Sequence, residues 1–315
     1  MLREDWLIES IEHVRRAMEE QAYVTDPAIA TAVFLALRLQ KPILIEGQAG
    51  VGKTEIAKVL ARMLDTELIR LQCYEGLDAT TALYEWNYPK QMLRIKLEER
   101  TDRPVEEKEA LIFSPPFLLE RPLLRAITRQ DRPPVLLIDE VDRADEEFEA
   151  FLLEVLSDFQ VTIPELGTVT ATHRPYVILT SNRTRELSDA LKRRCLYLWI
   201  DYPTFEKELR IVLTKVPQAN ELLARQICVF VETLREMKLS KRPGVAETLD
   251  WTLSLVALHR DHLDAETVEA TLGVILKDRD DIRQLAGARL DEMLDEVQRR
   301  AAAEAAGPRA VATER

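Results

Sequence analysis

The segment Gly47-Gln48-Ala49-Gly50-Val51-Gly52-Lys53-Thr54 sets three glycines ahead of a lysine and a hydroxyl. A loop of this composition lets backbone N–H groups turn inward around a polyphosphate, and a helix opening directly behind it adds its positive end. Lys53 can then reach the β- and γ-phosphates, while the Thr54 hydroxyl is placed to ligate Mg2+. The spacing G-x-x-x-x-G-K-T acquires meaning from its context, a strand before and a helix after. Both are present: Ile43-Leu44-Ile45 runs into the loop, and the helical pattern EIAKVLARML follows from Glu55. Coincidence is a poor rival, because three of only nine glycines in 315 residues fall within Gly47 to Gly52. The candidate nucleotide-binding set is therefore Gly47, Gln48, Ala49, Gly50, Val51, Gly52, Lys53, Thr54 and Glu55.

A second group of residues could complete a hydrolytic site. The run Pro134-Val135-Leu136-Leu137-Ile138 ends in two adjacent acids, Asp139 and Glu140. Neighbouring parallel strands present their C-terminal ends on one side of a sheet, where ligands bind. Asp139 is thereby expected beside Mg2+, through water, and Glu140 is suited to polarise an attacking water as general base. The apolar run Tyr176 to Leu179 ends in Thr180-Ser181-Asn182, and the Asn182 amide could orient that water. Further on, Ser188 can cap a short helix, DALKRRC, that ends in Arg193-Arg194. Arginines at a helix end commonly complement its dipole, but they can also reach a neighbouring subunit's site to stabilise transition-state charge.

The elements that must position these groups follow from periodicity. Short apolar runs at Ile43–Ile45, Glu67–Gln72, Val135–Ile138, Val177–Thr180 and Leu196–Ile200 alternate with helical patterns, which predicts an α/β fold with a parallel sheet covered by helices. Asp26-Pro27 marks the start of a buried helix reaching to Gln40. After Tyr202-Pro203 only helical spacing remains. The expected organisation is an α/β nucleotide-binding domain over 1–202, a smaller all-helical domain over 203–300 and an alanine-rich, frayed tail over 301–315. Residues 96–109 hold ten charges in fourteen positions and read as a solvated helix or loop, or as a partner-facing insert.

Composition narrows the function classes. Lys plus Arg is 43 and Asp plus Glu is 55, for a net charge of −12, which disfavours nucleic acid and anionic membranes as partners. Cys73, Cys195 and Cys228 show no framework spacing, as expected of a reducing compartment, and no run is long enough to span a bilayer; a cytoplasmic location without membrane insertion is expected.

Taken in order, GQAGVGKT (47–54), LLIDEVDRA (136–144), ILTSN (178–182) and ALKRRC (190–195) resemble the P-loop NTPases of the AAA+ ATPase class. The segments at 137–158 and 160–182 are similar to the MoxR family, and YEGLDATTALYEWNYPKQML (74–93) with KRPGVAETLDW (241–251) is similar to its CoxD-like branch, the carbon monoxide dehydrogenase maturation type. The resemblance implies ATP as the nucleotide, Mg2+ as cofactor, Asn182 as sensor 1, Arg194 or Arg193 as the arginine finger and Arg242 as sensor 2. It also implies a self-assembled ring, expected to be a hexamer, an insert near 74–109, a hairpin near 160–172, and a helical lid. A von Willebrand A-domain partner and a client enzyme, matured or loaded with its metal cofactor, are implied in the same way. Where MoxR proteins commonly flank the finger with an acid and a phenylalanine, this chain has Lys192-Arg193-Arg194-Cys195, so both arginines stay in play.

Other readings stand beside this one: a nucleic-acid-dependent NTPase or translocase, a nucleotide-gated binding scaffold, and a P-loop kinase. The acid pair with Asn182 fits hydrolysis better than transfer to a non-water acceptor. Lesser signals are His259-x-x-His262, read as a solvated helix face; Tyr84, Trp86 and Tyr88, read as a client-facing patch or a satellite core; and Tyr23-Val24, read as flanking an adenine ring or as ordinary core.

Overall fold

Ile43-Leu44-Ile45 has no polar side to offer water, and in the computed structural model of the chain every residue of this strand is buried. The structure describes residues 9–99, 103–285 and 287–306; residues 1–8, part of the 96–109 run and the tail from 307 lie outside the described residues. Packing divides the chain into two units. The first comprises residues up to Gln21, Thr25–Gly47 and Lys53–Ile200; the second comprises Ala22–Val24, Gln48–Gly52 and the chain from Asp201 onward.

In the first unit, helices α1 (Ile11–Glu20) and α2 (Pro27–Leu39) precede strand β1 (Ile43–Gly47), α3 (Lys53–Met63) and β2 (Leu68–Gln72). Asp26 caps α2 as its sequence promises: its carboxylate accepts the Ile29 N–H at 2.9 Å, and Pro27 opens the first turn. The next stretch holds α4 (Ala79–Leu83), β3 (Tyr84–Trp86), α5 (Tyr88–Glu98), α6 (Val105–Ile112), β4 (Leu118–Glu120) and α7 (Pro122–Thr128). Strand β5 (Val135–Asp139), helix α8 (Glu146–Asp158), hairpin β6 (Gln160–Ile163) with β7 (Gly167–Thr170), strand β8 (Tyr176–Ser181), helix α9 (Asp189–Arg194) and strand β9 (Leu196–Ile200) complete it.

Five of these strands form one parallel sheet in the order β2-β5-β8-β1-β9. Strands β1 and β5 are buried along their whole length, as parallel strands covered on both faces must be, whereas β2 at the edge alternates buried and exposed residues. Register pairs Gln72 with Asp139 and Glu46 with Ser181. The C-terminal ends of β2, β5, β8 and β1 therefore stand side by side, and the polar residues that terminate them are brought to one edge. Burial of Leu44, Leu136, Ile138 and Leu179 holds that edge in place, each side chain contributing about 1.5–3 kcal/mol.

The aromatic residues between α4 and α6 divide between the two readings. Trp86 is buried and meets Tyr84 and Phe113 edge-on, at 6.2 and 5.3 Å between ring centroids, as a satellite core; Tyr88 is exposed.

The second unit contains helices α10 (Phe205–Lys215), α11 (Glu221–Glu236), α12 (Val245–Ala257), α13 (Ala265–Ile275), α14 (Arg279–Leu285) and α15 (Ala288–Ala306). The last of these carries helix six residues into the stretch read as tail. Trp251 is fully buried against Phe230 at 5.0 Å, and its Nε1 donates to Thr271 Oγ1 at 2.8 Å. The His259–His262 stretch is a turn between α12 and α13 rather than a helix face, and among the described residues no group of three or more His, Cys, Asp and Glu side chains is placed to hold a metal. No described helix is long and apolar enough to cross a membrane.

The second unit also contains a close approach between two glycines. Arg235 makes a buried ion pair with Glu208 at 2.5 Å, stacks over the Tyr202 ring at 4.7 Å, and donates from Nε to the Pro243 carbonyl at 2.8 Å. That fixes the turn ahead of α12, whose first N–H groups, of Val245 and Ala246, donate to the Gly50 carbonyl at 2.9 and 3.3 Å. A helix start has unpaired N–H groups to satisfy, and the backbone of the glycine-rich loop does it. A Cβ added at Gly244 would stand 2.7 Å from Gly50 Cα, so the contact has no room for a side chain. Gly50 itself has φ +78°, a conformation that costs glycine little.

Gly244→Ala is expected to lower stability by about 1–3 kcal/mol through this overlap. Gly273→Ala, in α13 with open space around the new methyl group, is expected to raise it by about 0.5–1 kcal/mol. Thermal denaturation of the two variants checks this; equal melting points would contradict the close approach.

Candidate functional site

Lys53 opens α3 and is a buried residue. Nζ donates to the Gly47 carbonyl at 2.8 Å and to Asn182 Oδ1 at 2.7 Å, so the lysine is held by the strand end that precedes it and by the end of β8. Burial pushes its pKa below the usual lysine value, while the carboxylates of Asp142, Asp139 and Glu140 oppose that shift.

The same Asn182 amide donates from Nδ2 to Glu140 Oε1 at 3.3 Å. One side chain thus spans the candidate phosphate-binding cation and the candidate base. Its own position is set by Asp142, buried just beyond β5, whose carboxylate accepts the N–H groups of Asn182 at 3.2 Å and Thr184 at 2.8 Å and the Thr184 hydroxyl at 2.7 Å. A carboxylate that receives three donors is a rigid anchor.

Asp139 ends β5 and is buried. Its Oδ1 accepts the Thr180 hydroxyl at 2.5 Å and the Thr54 hydroxyl at 3.1 Å. Thr180 in turn accepts the Glu140 N–H at 2.9 Å, which holds Glu140 in the left-handed region at φ +56°. A non-glycine residue pays about 1–2 kcal/mol for that conformation. On its other oxygen Glu140 receives Gln72 Nε2 at 3.0 Å and Arg143 at 3.1 Å.

The oxygens of Thr54 and Asp139 are hard donors at adjacent positions, the set that Mg2+ takes when phosphates and water supply the remainder. Gly50 and Gly52, at φ +78° and +91°, adopt the backbone that a loop of inward-facing N–H groups requires. Gln48 and Ala49 are exposed, Val51 is buried, and Glu55 lies in the first turn of α3, paired with Lys58 and Arg62 at 3.4 and 3.2 Å.

The arginines are not part of this cluster. Arg193 and Arg194 are exposed at the end of α9, and Arg194 Nε donates to Ser157 Oγ on α8 at 3.0 Å. Arg242 is exposed ahead of Pro243-Gly244, outside α12. Val24 is buried and Tyr23 half-buried. Four contributors escaped the sequence reading: Thr180 and Asp142, which anchor the acids and the amide, and Arg70 and Gln72, which reach the acids from β2. The alternation of polar residues at 70 and 72 on an apolar strand was their only signal.

Residues 42–195 match the family model described as AAA domain (dynein-related subfamily). An uncharacterized protein of Staphylococcus haemolyticus is 25% identical over 237 residues, covering 73% of this chain and 81% of its own length. Another from Staphylococcus aureus (strain bovine RF122 / ET3-1) is 27% identical over 216 residues, covering 66% and 73%. Among solved structures, the RuvB Holliday junction branch migration motor of Thermotoga maritima is similar over 84% of this chain and 72% of that one, with 16% identity and a TM-score of 0.46. The matched segment runs from just before β1 through α9, and holds the loop, both acids and Asn182. Residues 42–195 thus match an AAA domain, the five-stranded parallel sheet with its flanking helices is an AAA+ P-loop NTPase fold, and the chain is an ATP hydrolase.

Proposed function

We propose that this chain is a MoxR-type AAA+ ATPase that uses Mg2+-dependent ATP hydrolysis to remodel or mature a client protein. The observation that carries the hydrolytic part is the bridge Lys53–Asn182–Glu140, built beside the Thr54–Asp139 oxygen pair. Lys53 binds the β- and γ-phosphates in exchange for its contacts to Gly47 and Asn182. Thr54 and Asp139 would hold Mg2+, which would supply charge neutralisation at the phosphates. Glu140 accepts a proton from the attacking water, and Asn182 orients that water by its amide. Asp142 and Thr180 position these groups without touching the reacting atoms.

The client-directed part rests on the MoxR-like segments at 137–182 and the CoxD-like segments at 74–93 and 241–251. In this reading the chain assembles into a ring, expected to be a hexamer, works with a von Willebrand A-domain partner, and assists insertion of a metal cofactor into an enzyme. Arg193 or Arg194 supplies the finger at the neighbouring subunit's nucleotide, a role supported by their exposure at the end of α9. Arg242 serves as sensor 2 from the segment ahead of α12.

Glu140→Gln is expected to retain ATP binding while lowering turnover by roughly 10²–10⁴-fold, the usual contribution of a general base. Lys53→Ala is expected to weaken ATP binding by about tenfold or more, since it removes a charged donor to phosphate. Equilibrium binding of ATP alongside phosphate release separates the two effects; an unchanged affinity in Lys53→Ala would refute the cradle.

The finger is tested by mixing subunits. Glu140→Gln and Arg194→Ala proteins, each inactive alone, are expected to recover part of the wild-type turnover when mixed, because some seams then pair an intact base with an intact arginine. The same mixture with Arg193→Ala identifies which arginine acts, and no recovery from either mixture would refute a finger in trans.

A further inference from the structure

Asp139 carries a second charge partner that the hydrolytic reading does not use. Its Oδ1 is taken by the two threonine hydroxyls, and its Oδ2 accepts the Arg70 guanidinium at 2.5 Å. The carboxylate side chain is only 4% exposed, whereas that of Arg70 is 51% exposed. Arg70 springs from the edge strand β2, on the same face as Gln72, and Gln72 Oε1 accepts from the same guanidinium nitrogen at 2.5 Å. The arginine is thus gripped at its tip and open to water along much of its length. Withdrawal into solvent would cost it little, but would leave the buried carboxylate short of one positive charge, with Lys53 the cation remaining in its neighbourhood.

A guanidinium and a dication close to one carboxylate repel each other, and burial of that carboxylate weakens the screening between them. We propose that Arg70 is a tethered counter-ion for Asp139: it neutralises the buried acid while no metal is held there and must swing away when a divalent cation takes that carboxylate. Metal loading is then an exchange of cations rather than the filling of a bare acidic site, and Arg70 sets the Mg2+ concentration at which the exchange occurs. Arg70 is a positioning residue in this scheme. The proposal rests on the reading of Asp139 as the metal acid.

The test measures binding of N-methylanthraniloyl-ADP to the full chain by fluorescence anisotropy, first in EDTA and then across a Mg2+ titration. For Arg70→Met and Arg70→Gln the Mg2+ midpoint is expected to fall by about two- to fivefold, the range for a partly exposed ion pair in competition. Arg70→Lys, which keeps the charge, is expected to stay near the wild-type midpoint, and metal-free nucleotide affinity is expected to change by less than about twofold in all three. Melting in EDTA is expected to fall for Arg70→Met and Arg70→Gln, with the gap to wild type closing in Mg2+-ADP. Equal loss of nucleotide affinity with and without Mg2+ would make Arg70 a phosphate ligand and overturn the proposal. An unchanged Mg2+ midpoint with lower melting in both conditions would make it a strut, and overturn it likewise. The reading of Asp139 is checked apart: wild type must bind the nucleotide more tightly with Mg2+, and Asp139→Asn must lose that dependence. If both controls behave and the Arg70 variants do not shift the midpoint, only the counter-ion proposal fails; if the controls fail, the metal-acid reading fails with it.

Discussion

A single amide, that of Asn182, accepts from a buried cation at one end and donates to a carboxylate at the other, and the rest of the site is arranged so that it can. The arrangement demands that the ends of three strands lie in register, since Lys53, Glu140 and Asn182 follow β1, β5 and β8. Parallel pairing across β5-β8-β1 supplies that alignment, and buried strands make it stiff. The electrostatics are equally constrained. Lys53 sits among Asp139, Glu140 and Asp142, which offset the cost of its desolvation. A buried lysine is tolerable only in such company.

Two residues of the same acidic motif do different work because their backbones differ. Asp139 is the last residue of a strand and keeps its carboxylate beside Thr54, while Glu140 turns into the left-handed region and carries its own toward Asn182 and Gln72. Thr180 locks both outcomes by accepting from the Glu140 N–H and donating to Asp139. The cysteine next to this edge has no part in the chemistry. Cys73 donates its backbone N–H to the Asp139 carbonyl, and burial raises its thiol pKa to about 12, so it stays protonated and unreactive.

In the second unit, charge and backbone meet differently. The buried Glu208–Arg235 pair is satisfied by further partners, with Thr248 donating to Glu208 and Arg235 donating to the Pro243 carbonyl. This is the condition under which a buried ion pair organises structure rather than merely costing desolvation. Its effect is to present Gly244 and the first N–H groups of α12 to Gly50. Glycine at both places is a packing requirement, visible only when the two are seen together.

Much of this protein was legible in the chain alone. The glycine-rich loop, the acid pair, the five parallel strands and the change to helices beyond Tyr202 are local patterns of composition and period, and local patterns are written in sequence, whereas the hairpin after α8 was expected from family resemblance alone. The roles of Arg70, Gln72, Asp142 and Thr180 were not, because each depends on a neighbour tens of residues away that only strand order and register bring near. The same is true of the Gly50–Gly244 contact and of the division of Trp86 from Tyr88 into core and surface. Sequence determined which groups could do chemistry and on what elements they ride. Tertiary structure decided which of them touch, because hydrogen bonds and ion pairs act over a few ångströms, and distance along a chain does not predict distance across a sheet.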